Sequence, residues 1–170
     1  ALYDHKAAPE QRDLMSFEVS GERHSMWFLM PRSAADLERR RQAHKRIADL
    51  TFGMLGRSMD HVSSFVTGMA MMPQVFDAGA PGRGQNMVDY YKTMRDNDTY
   101  AAYAVIPPQA ARNPEFYEKQ SLPIPTLRVI REDDDGVVID GMKMLATGGI
   151  LANDIWIGNL IPLAASQRKE

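Results

Sequence analysis

The stretch Asn97-Asp98-Thr99-Tyr100-Ala101-Ala102-Tyr103-Ala104-Val105-Ile106-Pro107-Pro108-Gln109-Ala110-Ala111-Arg112 divides the chain into two textures. Before it, apolar residues return every three or four positions, the period of a helix. After it they fall in short runs cut by Pro, Gly and Asp, the pattern of strands and turns. Residues 101–106 read as a strand, and the two prolines, which have no amide to donate, stop its pairing. The sequence therefore predicts an α+β chain with a boundary near 98: a mainly helical part over 1–98, carrying a short β-hairpin, and a β-rich part over 99–170.

Moving back from that boundary, Met87, Val88, Tyr91 and Met94 mark an amphipathic helix ending near Asn97, preceded by a loop over 77–84. Val62, Phe65, Val66, Met69 and Ala70 mark another, which Ser58 is placed to cap. A third follows the capping pattern Ser33-Ala34-Ala35-Asp36, with Leu37, His44, Ile47 and Leu50 on one face and Arg39, Arg40, Lys45 and Arg46 mostly elsewhere. Gly53 and Gly56 interrupt it. Residues 16–19 and 24–30 read as two strands about the turn at 20–22. Moving forward, 127–130 and 137–139 form a hairpin about an Asp-rich turn ending at Gly136, and 142–147 and 155–157 add two strands.

Bulk properties narrow the function classes. The 170 residues are 44% hydrophobic and 25% charged, the composition of an ordinary globular chain. A formal net charge of −2 gives no global attraction to nucleic acid or anionic lipid. With no cysteine, disulfides, thiolate catalysis and Cys-ligated metal centres are excluded from this stretch. His5, His24 and His44 lack ligand-like spacing, so no metal site is expected. No apolar run approaches the roughly 20 residues that span a bilayer. These features predict a cytoplasmic protein that binds neither nucleic acid nor membrane. The basic run 38–46 is read as a solvated helix face, since helical periodicity spreads its charges and no RNA-binding aromatic signature accompanies it.

Three segments carry unusual chemistry. Gly56-Arg57-Ser58-Met59-Asp60-His61 places an arginine at an expected helix start, where free amides and partial positive charge suit an anion. Its plainer reading is an Arg57–Asp60 ion pair with His61 at the surface or as a satisfied core residue. Gln109 and Arg112 follow the two prolines as donors for a polar ligand, or simply as an ordinary strand end. Asp140-Gly141-Met142-Lys143-Met144-Leu145-Ala146-Thr147-Gly148-Gly149 ends in residues that let a flat ligand approach the backbone, or form a bulge at a barrel edge.

Taken in order with Tyr3-Asp4, Phe28-Leu29-Met30-Pro31-Arg32, Asn97-Asp98, Pro108-Gln109 and Ala152-Asn153-Asp154, these segments resemble the 4-hydroxyphenylacetate 3-hydroxylase family. Its members are two-component monooxygenases with the acyl-CoA dehydrogenase-like fold. The resemblance implies a helical amino-terminal domain leading into the start of an antiparallel β-barrel, with the carboxy-terminal helical domain absent. Ala1 in place of an initiator methionine, and SQRKE directly after a strand-like run, are read as cut ends. The chain is accordingly expected to be an amino-terminal part that alone neither holds reduced flavin tightly nor hydroxylates.

The resemblance further implies reduced FAD delivered by a separate flavin reductase, with FMN the other candidate, and O2 as co-substrate. The substrate is a phenol like 4-hydroxyphenylacetate, and the full-length protein is expected to be a homo-oligomer, tetramer or dimer. The implied substrate residues are Arg57, Ser58, Asp60, His61 and Tyr103, of which Arg57, His61 and Tyr103 are catalytic. The implied flavin residues are Tyr103, Ala104, Val105, Gln109, Arg112 and Thr147. At the two aromatic positions the family's usual Tyr and His are exchanged, giving His61 and Tyr103 here. That keeps one imidazole and one hydroxyl for the phenol oxygen and leaves the particular phenol open. The alternative within this fold is an acyl-CoA dehydrogenase or hydroxyacyl-CoA dehydratase.

Overall fold

The structure is a computed structural model and describes residues 8–55, 60–134 and 136–158. It divides into two compact units, Ala1–Ala101 with Leu151–Asp154, and Ala102–Ile150 with Ile155–Glu170. The mixture of helix-rich and strand-rich parts is the α+β content expected from the two textures.

The first unit starts with α1 (Pro9–Met15), whose first residue is a proline, a position where no intrahelical amide bond is needed. The strands β1 (Ser16–Val19) and β2 (Glu22–Ser25) then pair antiparallel, Ser16 opposite Ser25 and Val19 opposite Glu22. Both turn residues are left-handed, Ser20 at φ 52° and Gly21 at φ 85°. That twist matches the twist of the flanking strands.

The strand expected over 24–30 ends early. After Ser25 the chain enters a 3-10 turn, Met26–Phe28, with all three side chains buried. An extended strand sends alternate residues to opposite faces and could bury only every second one on a single core. The turned backbone leaves carbonyls inside the unit, and side chains of three helices satisfy them. The Thr67 hydroxyl donates to Trp27 O at 3.2 Å, the Tyr91 hydroxyl to Phe28 O at 2.7 Å, and the Arg40 guanidinium to Leu29 O at 2.5 Å.

Those helices are α2 (Ala34–Thr51), α3 (Asp60–Ala70) and α5 (Arg83–Asp96). Ser33 caps α2 as the sequence predicts: its hydroxyl oxygen accepts the Asp36 amide at 3.2 Å, while the Asp36 carboxylate accepts the Arg32 amide at 3.0 Å. The buried side of α2 differs from the expected face. Ala43 and Ile47 are buried, whereas Leu37 is 57% exposed and Leu50 is 38% exposed. The helix turns its Arg40 side inward, where Leu29 O and the Ser64 hydroxyl accept from the guanidinium. On α3, Ser63 and Thr67 join Val62, Val66 and Ala70 in the core. Thr67 is tolerated there because its one hydroxyl proton is shared between Trp27 O and Ser63 O, the latter at 2.7 Å. Leading into the segment expected as a loop over 77–84, α4 (Gln74–Asp77) forms one turn, and Asp77 accepts the Gly84 amide at 2.9 Å near the start of α5. Met87, Tyr91 and Met94 are the buried apolar stripe of α5.

The motif Ala152-Asn153-Asp154 belongs to this unit. Asn153 pairs with Tyr100 twice, accepting its amide at 3.1 Å through the side chain and donating its own amide to Tyr100 O at 2.8 Å. Asp154 accepts the Tyr90 hydroxyl at 3.1 Å, and burial together with Asp154 pushes that phenol well up, so it remains a donor.

In the second unit, β3 (Ala101–Ala104) lies beside β6 (Asp154–Ile157), the strands starting at the unit boundary. A 3-10 turn, Gln109–Arg112, and α6 (Pro114–Lys119) follow the prolines. The expected hairpin is present as β4 (Arg128–Asp133) and β5 (Gly136–Asp140), antiparallel with a register shift between Val129 and Arg131. The expected strand over 142–147 is reduced to a single bridge between Met144 and Ile106. Gly141 at φ 121° and Leu145 at φ 61° bend the chain out of extended geometry on either side of that bridge.

Candidate active site

The first group of candidate residues lies on α2 and α3. Arg57 and Ser58, together with the expected Ser58 cap, lie outside the described residues. Asp60 opens α3, and its carboxylate, 14% exposed, is 2.8 Å from His44 Nδ1 on α2. One turn along both helices, the Arg40 guanidinium donates to the Ser64 hydroxyl at 2.9 Å. The α2–α3 interface is thus crossed by two polar rungs, His44–Asp60 and Arg40–Ser64. Burial pushes the Asp60 carboxyl up, but the hydrogen bond and charge of His44, with a smaller effect of His61, outweigh it and hold the group below its ordinary range. The second oxygen, Oδ1, is buried and accepts no hydrogen bond among the described residues. His61, next in the chain, is exposed, and its ring meets Phe65 edge-on with centroids 5.7 Å apart.

The second group lies in the β-rich unit. Tyr103 is part-buried with its ring against the backbone of Gly158: a Cβ there would fall 2.6 Å from the phenol oxygen. Ala104 is buried, and its carbonyl accepts the Gly158 amide at 3.1 Å. On the following residues the chain is met by the 143–144 segment. Lys143 Nζ donates to Val105 O at 3.4 Å and the Met144 amide to Ile106 O at 2.7 Å. Gln109 and Arg112 are exposed on one 3-10 turn. Thr147 is exposed between left-handed Leu145 and Gly148, with its amide turned to Leu145 O at 2.9 Å.

The structure therefore brings Asp60 and His61 together on one helix, and Tyr103, Ala104, Val105 and the 142–149 segment together in the second unit. Two partners were not singled out from the sequence. His44 reaches Asp60 only because α2 and α3 are neighbours, which no local spacing encodes. Lys143 stands inside the Gly-x-Lys-x-x-Ala-Thr-Gly motif, so a signal existed, but the contact with Val105 O is tertiary. Burial also pushes its ammonium down.

The basic run is largely engaged within its own helix. Arg39 pairs with Asp36 at 3.9 Å, Arg41 with Glu38 at 2.6 Å and Lys45 with Asp49 at 2.6 Å, while Arg40 faces inward. Among the described residues, no cluster of three or more His, Cys, Asp or Glu side chains could hold a metal ion, and no helix is long and apolar enough to cross a membrane.

Comparison with known proteins places these features in a family. The chain is 36% identical over 149 residues to the 4-hydroxyphenylacetate 3-monooxygenase oxygenase component of Thermus thermophilus, covering 86% of this chain and 30% of the relative. It is 30% identical over 166 residues to the FADH(2)-dependent monooxygenase TftD of Burkholderia cepacia, covering 94% of this chain and 32% of the relative. A solved structure of the oxygenase component (HpaB) of 4-hydroxyphenylacetate 3-monooxygenase, complexed with FAD, matches with a TM-score of 0.84 and 32% identity, over 98% of this chain and 34% of that one. The fold is accordingly the acyl-CoA dehydrogenase-like fold expected from the motifs, and the chain spans about a third of the length of these relatives. The family model for the 4-hydroxyphenylacetate 3-hydroxylase N terminal matches residues 1–170, and the chain belongs to that family.

Proposed function

We propose that this chain is the amino-terminal part of a reduced-flavin-dependent monooxygenase that hydroxylates a phenol beside its hydroxyl group, using FAD and O2. The observation that most supports this reading is the match over 98% of the chain, at 32% identity, to an FAD-complexed oxygenase component. A cytoplasmic location, a separate flavin reductase and a homo-oligomeric assembly belong to the same proposal.

The residues of the second unit fit a flavin. Thr147, Gln109 and Arg112 are exposed donors, and Gly148 and Gly149, part-buried at the end of the Thr147 segment, carry no side chain of their own. We assign flavin binding to Tyr103, Ala104, Val105, Gln109, Arg112 and Thr147. When bound, reduced flavin supplies the two electrons with which one atom of O2 enters the ring and the other leaves as water.

The protein's own task is to make the ring electron-rich. A free phenol titrates near pH 10, and an adjacent guanidinium lowers that by roughly one to three units. Arg57 is assigned this role; lysine would be a poorer substitute because the guanidinium bonds in a fixed plane. His61 accepts the phenol proton on a ring nitrogen, Tyr103 hydrogen-bonds the phenol oxygen, and Ser58 adds a hydroxyl to the substrate pocket.

Full-length protein supplied with reduced FAD, O2 and a panel of phenols is expected to form catechols, and Arg57→Ala to lower product formation on the order of a hundredfold. Hydroxylation that ignores this substitution removes Arg57 from its role. A tightly held oxidised flavin bleached by an acyl-CoA, with no catechol formed, would favour a dehydrogenase instead.

A further inference from the structure

Strand β3 carries Tyr103, the residue assigned to both the phenol and the flavin, but the strand's own sequence says little about which way that residue faces. In Ala101-Ala102-Tyr103-Ala104 successive side chains point to opposite faces. Both faces bury alanine: Ala101 shares the face of Tyr103, and Ala102 and Ala104 lie on the other. A slip of one residue against the neighbouring β6 would trade alanine for alanine, yet it would turn Tyr103 to the opposite face. The apolar pattern therefore leaves the register open. Gly158 makes room for the Tyr103 ring, but the bond it gives to Ala104 O, at 3.1 Å, is a backbone bond that any residue could donate.

The start of the strand pair holds a more selective contact. Asn153 closes a ring of two hydrogen bonds on Tyr100: its Oδ1 accepts the Tyr100 amide at 3.1 Å, and its own amide donates to Tyr100 O at 2.8 Å. The Asp154 amide donates to the same carbonyl at 3.3 Å, and the Asp154 carboxylate accepts the Tyr90 hydroxyl at 3.1 Å, which ties this end of β6 to α5. In a shifted register the backbone rungs could re-form with the next residue along. The side-chain bond could not, because asparagine is short and reaches only the amide beside it.

We propose that Asn153 is a positioning residue that sets the register of β3 and so the face on which Tyr103 is presented to the phenol. The inference rests on the role proposed for Tyr103 and gives Asn153 no contact with substrate or flavin.

In the full-length protein, Asn153→Asp keeps the acceptor oxygen and Asn153→Ala removes it. Without substrate, amide exchange over residues 100–104 is expected to speed at least about tenfold in N153A and to stay within about twofold of wild type in N153D. With substrate, the probe is 4-nitrophenol, whose yellow anion reports binding by absorbance. A slipped population binds phenol poorly, and bound phenol draws it back into register. N153A should therefore weaken nitrophenolate binding and raise the KM about fivefold while kcat stays within about twofold, and N153D should restore both. In a Tyr103→Phe background, which lacks the hydroxyl that the register delivers, N153A should change binding by less than about twofold.

Wild-type protein that neither binds the nitrophenolate nor hydroxylates phenols would defeat the monooxygenase reading, and with it the role of Tyr103. Wild-type protein that does both would overturn the role of Asn153 alone if N153A bound equally tightly, exchanged no faster, or lost as much affinity in the Y103F background. Far-UV circular dichroism confirms folding, and Asn153→Gln, whose oxygen sits one bond farther out, takes the place of N153A should the latter not fold.

Discussion

Gly141 shows how much a single residue without a side chain decides. Its φ of 121° is open to glycine and strained for any L side chain, and a Cβ built there would lie 2.1 Å from Thr126 O and 2.7 Å from the carbonyl carbon. Because the obstacle is backbone, no rotamer change relieves it. Gly141→Ala is expected to destabilise the fold by about 2–4 kcal/mol, read as a clear fall in the thermal midpoint; an unchanged midpoint would show that the close approach does not exist in solution. The sequence marks this glycine only as part of a motif. That a side chain there would collide with the Thr126 backbone follows only from the packed chain. Gly158 is similar: it carries no motif, yet its missing Cβ makes room for the Tyr103 ring.

At the scale of elements, the caps and periods of α2, α3 and α5 were legible, whereas the buried side of α2 was not. The Ser33 cap depends on residues three apart, and the Met87-Tyr91-Met94 stripe on one helical period, so both are written locally. Leu37 reads as core by hydrophobicity and lies outside, because α2 is oriented by Arg40 and His44 reaching across to neighbouring segments. The His44–Asp60 rung gives this interface a pH dependence of definite sign. The Asp60 carboxyl is held below its ordinary value of 3.8 in the folded chain, so the unfolded chain binds the proton more readily. Its stabilising contribution is complete above the ordinary carboxylate range and is lost as pH falls through the folded value. Between about pH 5 and about pH 3 the thermal midpoint of wild type should therefore drop more steeply than that of Asp60→Asn. Parallel slopes would show that Asp60 contributes nothing to acid sensitivity.

At the scale of the molecule, the hairpin β4–β5 stands out because every described residue in it is exposed, including Val129, Ile130, Val137, Val138 and Ile139. A two-stranded hairpin with neither face covered is marginal by itself, and this chain spans about a third of its relatives. In the 170-residue chain the β4–β5 amides are expected to exchange with solvent at nearly unfolded rates, and in a protein of the relatives' length to slow at least about a hundredfold. Slow exchange in the short chain would show that the hairpin needs no further cover. By itself the sequence determined the order of helix before strand, the cap of α2, the β4–β5 hairpin and, through an ordered set of motifs, the family. Each of these depends on residues close together in the chain or on short patterns that survive alone. Only the tertiary structure decided that Met26–Phe28 turns inward instead of extending, that 142–147 bends away from a strand, and that His44 is the partner of Asp60. These outcomes are set by which distant backbone carbonyls and buried charges must be satisfied once the elements pack, and no local spacing carries that information.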